Sequence, residues 1–200
     1  MRGTGTLISP NCFITAAHCF HCEGIDASEF SFSIGVHKGV ALLKAKSYAF
    51  YVHPKYLVDE DSGHDIGLAK IESPVPLGST FGHASLRMYG IRDLHGMKVN
   101  VSGYPGAKTL KEILFRVPSY DMYTMEGPIR SVEEHRISYD LDTSGGQSGA
   151  GVWIQKDQSQ PVECLAVHTS GDKVNGNGAV RINEENSRVV ADWLSKFGDL

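Results

Sequence analysis

Apolar residues fall along this chain in short stretches of five to eight positions, several strictly alternating with polar ones. GTLIS, CFITAA, FSFSIGV, GVALLKA, IGLAKI, KVNVSGYP, KEILFRVP, AGVWIQ and CLAVHT are the clearest. Stretches of this length, broken by Gly and Pro, predict strands of an all-β barrel or sandwich. Residues 74–96 lack such a pattern and read as the connection between two halves. One segment has another period. Asn183 is placed as an N-cap, with Glu184 and Glu185 in the first turn, where the helix dipole favours acids. Val189, Val190, Trp193, Leu194 and Phe197 then recur at helical spacing, and Lys196 and Gly198 mark the end. The sequence predicts a C-terminal helix whose apolar face packs on the second half. A further helical turn is expected within Thr15–Phe20.

Composition narrows the functional classes. The chain has 200 residues, 41% of them hydrophobic, and a formal net charge of −4. No apolar run approaches the roughly 20 residues of a membrane-spanning helix. No basic footprint for nucleic acid is visible. No basic segment followed by an apolar one opens the chain as a secretory signal would. Neither a membrane nor a nucleic acid is expected as a partner. The four cysteines, Cys12, Cys19, Cys22 and Cys164, allow three full pairings. HCFHC at His18–Cys22 has metal-ligand residue types, but it lacks a second ligand cluster. Reduced, partly buried thiols are the expectation, with no metal and no cofactor.

Three motifs carry the candidate chemistry: TAAHC at Thr15–Cys19, DIGLAKI at Asp65–Ile71 and GGQSGAG at Gly145–Gly151. A serine hydroxyl is a weak nucleophile until a base takes its proton. Histidine suits that role because its pKa lies near neutrality. A buried carboxylate holds the imidazole in the needed tautomer. Glycines beside a serine let the backbone turn tightly and aim amides at a developing oxyanion. His18, Asp65 and Ser148 are therefore the candidate triad, with the amides of Gly146 and Ser148 as the oxyanion hole. Asp59 and Asp61 compete with Asp65 but lie in an acidic, loop-like stretch and are expected in solvent. His64 is expected as an exposed neighbour.

In this order the motifs resemble those of the chymotrypsin-like serine peptidases. Within them, VSGYPG at Val101–Gly106, YDLDTSGGQSGAGVW at Tyr139–Trp153, and LAVHTSG with NGAVRIN between Leu165 and Asn183 are similar to the bacterial-type glutamyl endopeptidases. The resemblance runs from about Thr6 to the C-terminal helix and is weaker in the first half. It implies two six-stranded β-barrels flanking a cleft. Residues 1–88 would hold His18 and Asp65, and residues 89–200 the nucleophile, the specificity pocket and the helix. It implies a monomeric, secreted endopeptidase acting on proteins or peptides through an acyl-enzyme. Thr143 and His168 match the pair that binds a glutamate side chain, which both can hydrogen-bond.

Asp142 stands where trypsin-type enzymes carry the Asp that attracts Lys or Arg, so cleavage after basic residues is the alternative. A catalytically silent binding module is a second. The chain also opens at what the resemblance makes the second strand of the first barrel. Where animal relatives carry the disulfide partner of Cys19, Gly3 and Thr4 stand instead. Ala150-Gly151 replaces the Ser-Pro common after the nucleophile's glycine, a change between small residues.

Overall fold

A computed structural model describes residues 3–22, 25–26, 29–47, 49–73, 75–106, 121–172 and 176–199. KEILFRVP lies outside the described residues. In the first half, β1 (Thr6–Leu7), β2 (Cys12–Thr15), β7 (Phe50–Val52) and β8 (Gly67–Lys70) form one antiparallel sheet in the order β1-β2-β8-β7. Two ribbons accompany it: β3 (His21–Cys22) with β4 (Ile25–Asp26), and β5 (Phe30–Ile34) with β6 (Leu43–Ser47). In β5, Phe30, Phe32 and Ile34 are half-buried and the two serines are exposed, as alternation requires. Its phenylalanines meet the sheet edge-on, Phe32 at 4.3 Å from Phe13 and Phe30 at 4.4 Å from Phe20. This aromatic packing joins ribbon and sheet.

The second half holds β9 (Ser85–Leu86), β10 (Lys98–Gly103), β11 (Tyr123–Val132), β12 (Arg136–Tyr139), β13 (Gly151–Ile154), β14 (Glu163–Asp172) and β15 (Gly176–Arg181). The order β13-β10-β11-β12-β15-β14 closes because β13 also pairs with β14. Six strands thus make a closed antiparallel barrel, and β9 adds in parallel to β14. Val99, Val101, Ile137, Tyr139, Val152 and Leu165 fill its interior. Burying each such side chain contributes about 1.5–3 kcal/mol. The connecting segment is more ordered than its sequence suggests. It contains β9 and two short helices, α1 having come earlier at Pro54–Asp59: α2 (Leu77–Phe81) and α3 (Ile91–Leu94).

The C-terminal helix α4 (Glu184–Phe197) starts where expected. The Asn183 side chain accepts the Asn186 amide, and Gly198 closes the helix at φ +67°. Its partner surface differs from expectation. Val190 and Trp193 pack against Ile14, Ile66 and Leu68 of the first half as well as Val167, Val180 and Ile182 of the second. Trp193 stacks on Tyr51 at 5.9 Å. The helix clamps both halves because its apolar stripe is wide enough to meet each of them.

Candidate active site

β2 delivers His18. After Thr15 the chain leaves the sheet and makes a 3-10 turn, Ala17–Cys19, with Ala16 and Ala17 fully buried. β8 delivers Asp65 from just before its first residue, behind a second 3-10 turn, Ser62–His64. Since β2 and β8 are paired, with Thr15 opposite Gly67, the two residues emerge side by side. The backbone amide of His18 donates to Asp65 Oδ1 at 2.9 Å, and His18 Nδ1 lies 2.7 Å from Oδ2. Both carboxylate oxygens are thereby committed to His18, on a residue only 7% exposed. With its Nδ1 proton donated to the carboxylate, the imidazole presents a lone pair on Nε2. Burial pulls the His18 pKa down, but the hydrogen bond and the charge of Asp65 outweigh it and hold the pKa above its usual value.

Ser148 sits in a loop shaped by glycines at positive φ: Gly146 at +96° and Gly149 at +88°. At Gly149 a Cβ would stand 1.9 Å from Thr15 Oγ1 and 2.1 Å from the Thr4 carbonyl, so only glycine fits. Among the described residues the amides of Gly146 and Ser148 donate to no backbone carbonyl. Thr4, noted in the sequence only for standing near the missing partner of Cys19, anchors this loop. Its amide donates to the Ser148 carbonyl at 2.7 Å, and its hydroxyl donates to the Gly146 carbonyl at 2.8 Å and accepts the Tyr104 amide at 3.0 Å. Cys19 Sγ lies 3.9 Å from the Ser148 carbonyl, which brings the loop next to the His18 turn. Gly3 faces the same sulfur, where an added Cβ would be 2.4 Å away. The side chains of Ser148 and His18 share no hydrogen bond here; such bonds commonly tighten only once substrate is bound.

The residues expected to choose the substrate lie on both sides of Ser148. Thr143 is half-buried and Asp142 is exposed. His168 is 3% exposed, its backbone bonded through the Gly149 amide and the Ala150 carbonyl to the residues following Ser148. Its Nδ1 lies 2.8 Å from the Tyr139 hydroxyl. Burial pushes the His168 pKa down to about 4, aided by the charges of His18 and Arg136 and opposed by the Gly178 backbone. The ring is therefore neutral near pH 7 and can still donate one hydrogen bond. Burial raises the Tyr139 phenol well above its usual range, so it remains a hydroxyl. Tyr139 opens the YDLDTSGGQSGAGVW stretch, and its contact with His168 joins residues 29 apart in the sequence.

Other expectations change. His64 is 3% exposed, not solvated. Its ring packs at a tilt between His53 at 4.6 Å and His135 at 4.5 Å, and its Nδ1 is 3.0 Å from Asp61 Oδ2. Asp61 is exposed but caps the turn before Asp65 by accepting the Gly63 amide. One ligand atom each of His53, His64 and Glu185 lie within 4.8 Å of one another. His53 Nδ1 accepts the Lys55 amide, which leaves the ring proton on Nε2, and a nitrogen bearing a proton has no lone pair for a metal. In HCFHC, His18 is held by Asp65 and Cys19 faces Ser148, while the Cys22 side chain lies outside the described residues. Cys12, Cys19 and Cys164 are free thiols.

Comparison with known proteins agrees with this architecture. The family model described as Trypsin matches residues 1–194, and the chain belongs to that family. It is 31% identical over 210 residues to a glutamyl endopeptidase of Bacillus licheniformis, covering 95% of this chain and 58% of that one. It is 28% identical over 207 residues to a Bacillus subtilis protein named extracellular metalloprotease, covering 96% and 58%. The chain thus spans 58% of the length of each of these curated relatives. A solved structure of a Glu endopeptidase in complex with MPD superposes with a TM-score of 0.80 at 26% identity, covering 95% of this chain and 84% of that one. The fold is chymotrypsin-like: all-β, two barrels and a C-terminal helix. Among the described residues no helix is long and apolar enough to cross a membrane.

Proposed function

We propose that this trypsin-family chain is a serine endopeptidase that cleaves peptide bonds after glutamate, and less readily after aspartate. The observation that carries the reading is the double engagement of Asp65 with His18 beside the glycine-shaped Ser148 loop. Ser148 Oγ attacks the scissile carbonyl while His18 Nε2 takes the hydroxyl proton. The amides of Gly146 and Ser148 stabilise the oxyanion. His18 returns the proton to the leaving amine, leaving an acyl-enzyme. Water, activated by the same imidazole, then releases the acid and restores Ser148. Asp65 orients His18 and stabilises the imidazolium.

Glutamate selectivity is assigned to Thr143 and to neutral His168, whose Nδ1 is hydrogen-bonded with the Tyr139 hydroxyl. The names of the glutamyl relatives support it, as does the exposure of Asp142, which counts against a buried carboxylate awaiting Lys or Arg. A division at residues 88 and 89, a monomeric state and an extracellular location belong to the same reading. Hydrolysis runs through Ser148, whatever the name of the Bacillus subtilis relative. An active-site serine probe tests this: stoichiometric labelling of Ser148, blocked by prior denaturation, is expected. An unlabelled folded chain would favour a silent binding module.

A further inference from the structure

Beside the His18–Asp65 pair lies a polar cavity of about 620 Å³ that these steps leave unused. Ser62 and Asp65 line it from the first half, and Arg136, Ser138, Thr169 and Ser170 from the second. Arg136 is built into it. One guanidinium nitrogen donates to the Ser62 carbonyl at 2.5 Å and the other to Ser170 Oγ at 2.8 Å. Gly178 makes the room, since a Cβ there would stand 2.4 Å from Arg136 Nη2. Neither bond goes to a carboxylate, and a guanidinium has five N–H donors in a planar fork, so positive charge and donors remain. Thr169 on the same wall is 7% exposed and its hydroxyl oxygen is buried, so Arg136 is the group left to meet a ligand. The acids on the wall do not answer this need. Among the described residues no ion pair joins Arg136 to either of them: Asp65 bonds His18, and Glu133 is exposed at the rim.

Unspent donors around a cation call for an anionic acceptor. We infer that Arg136 anchors a second subsite, which takes the carboxylate of an acidic substrate residue flanking the one whose carbonyl Ser148 attacks. The inference rests on the endopeptidase reading above.

The test uses the full chain and peptides with Glu fixed at the cleaved residue, each flanking position carrying in turn Asp or Glu against Asn or Gln. Wild type is expected to favour the carboxylate at one flanking position by about tenfold in kcat/KM, the scale of a half-exposed charged hydrogen bond. Arg136→Gln removes that preference, and Arg136→Lys keeps part of it. Gly178→Ala weakens it by displacing the guanidinium. The preference for Glu over Gln at the cleaved residue persists in both Arg136 variants. The subsite is overturned if wild type shows no flanking preference, if Arg136→Gln slows acidic and amide peptides equally, or if the loss falls on the cleaved residue. Binding of the same peptides to Ser148→Ala, by fluorescence anisotropy, reads the preference without turnover. Acidic flanks bound tighter by a chain that does not cut after Glu would sink the parent reading and leave the subsite standing.

Discussion

The backbone amide of Thr4 donates to the carbonyl of Ser148 at 2.7 Å, so the segment around Thr4 holds the Ser148 loop. The Thr4 hydroxyl reaches the Gly146 carbonyl in the same loop and the Tyr104 amide beside it. Thr4→Val keeps the shape and removes both hydroxyl bonds. We expect a stability loss of about 1–3 kcal/mol, the usual cost of stranding buried polar partners. We also expect roughly tenfold slower turnover, from a looser Gly146 amide. Urea midpoints together with kcat check this. An unchanged kcat would mean that the glycine geometry alone sets the loop.

Ser148→Ala should abolish acyl-enzyme formation while preserving the fold, with turnover falling on the order of a millionfold. His18→Ala should be nearly as damaging. The double variant should be no worse than either alone, because the two act as one unit. Independent, multiplying losses would show that they do not share a step.

Much of this site was legible because its parts carry local signatures. TAAHC, DIGLAKI and GGQSGAG each place a candidate catalytic residue at a strand end or in a glycine turn, and their order ties the three together. Thr4 gave no signal of its anchoring role, since threonine near a strand is commonplace and that role exists only after the chain has closed on itself. His64 was misread because it follows VDEDSG, a solvated-looking run. Its burial comes from distant residues: His53, His135 and the Glu185 turn of α4. The helix itself was plain from its period, but one sequence cannot tell which barrel a stripe will meet.

The pH profile follows from His18. Catalysis needs its neutral form, and Asp65 raises its pKa above 6.5. The rate kcat/KM should therefore rise with pH through an apparent pKa above that value, and Asp65→Asn should both slow the enzyme and shift the limb downward. A limb that stays put in Asp65→Asn would separate the titration from this pair.

Stability should respond to acid in the opposite part of the scale. His53 and His168 are both held down to about 4, chiefly by burial. A depressed folded pKa means that the unfolded chain binds protons first. The stabilisation is present above the unfolded value near 6.5 and is lost as pH falls towards 4. Each group contributes at most about 3 kcal/mol across that window. Urea midpoints of Ser148→Ala at pH 7 and pH 4.5 should differ accordingly, and His53→Gln should flatten the slope. Equal slopes in the two proteins would remove His53 from the effect.

Thiols and metals give a further check. Burial pushes Cys12 and Cys164 up to about 12 and Cys19 up to about 11. All three should resist a thiol reagent in the native protein and react on unfolding. Chelators should leave activity unchanged. One zinc per chain by elemental analysis, with activity lost on its removal, would contradict this and return attention to HCFHC and to His53, His64 and Glu185.

Glutamate selectivity is the central claim, and mapping cut sites in a peptide library by mass spectrometry tests it most directly. Cuts are expected after Glu, fewer after Asp, and few after Lys or Arg. In His168→Ala, cleavage after Glu should fall by about 2–4 kcal/mol of transition-state stabilisation. A map dominated by Lys and Arg, abolished by Asp142→Asn and indifferent to His168→Ala, would contradict it and make Asp142 the residue that selects the substrate.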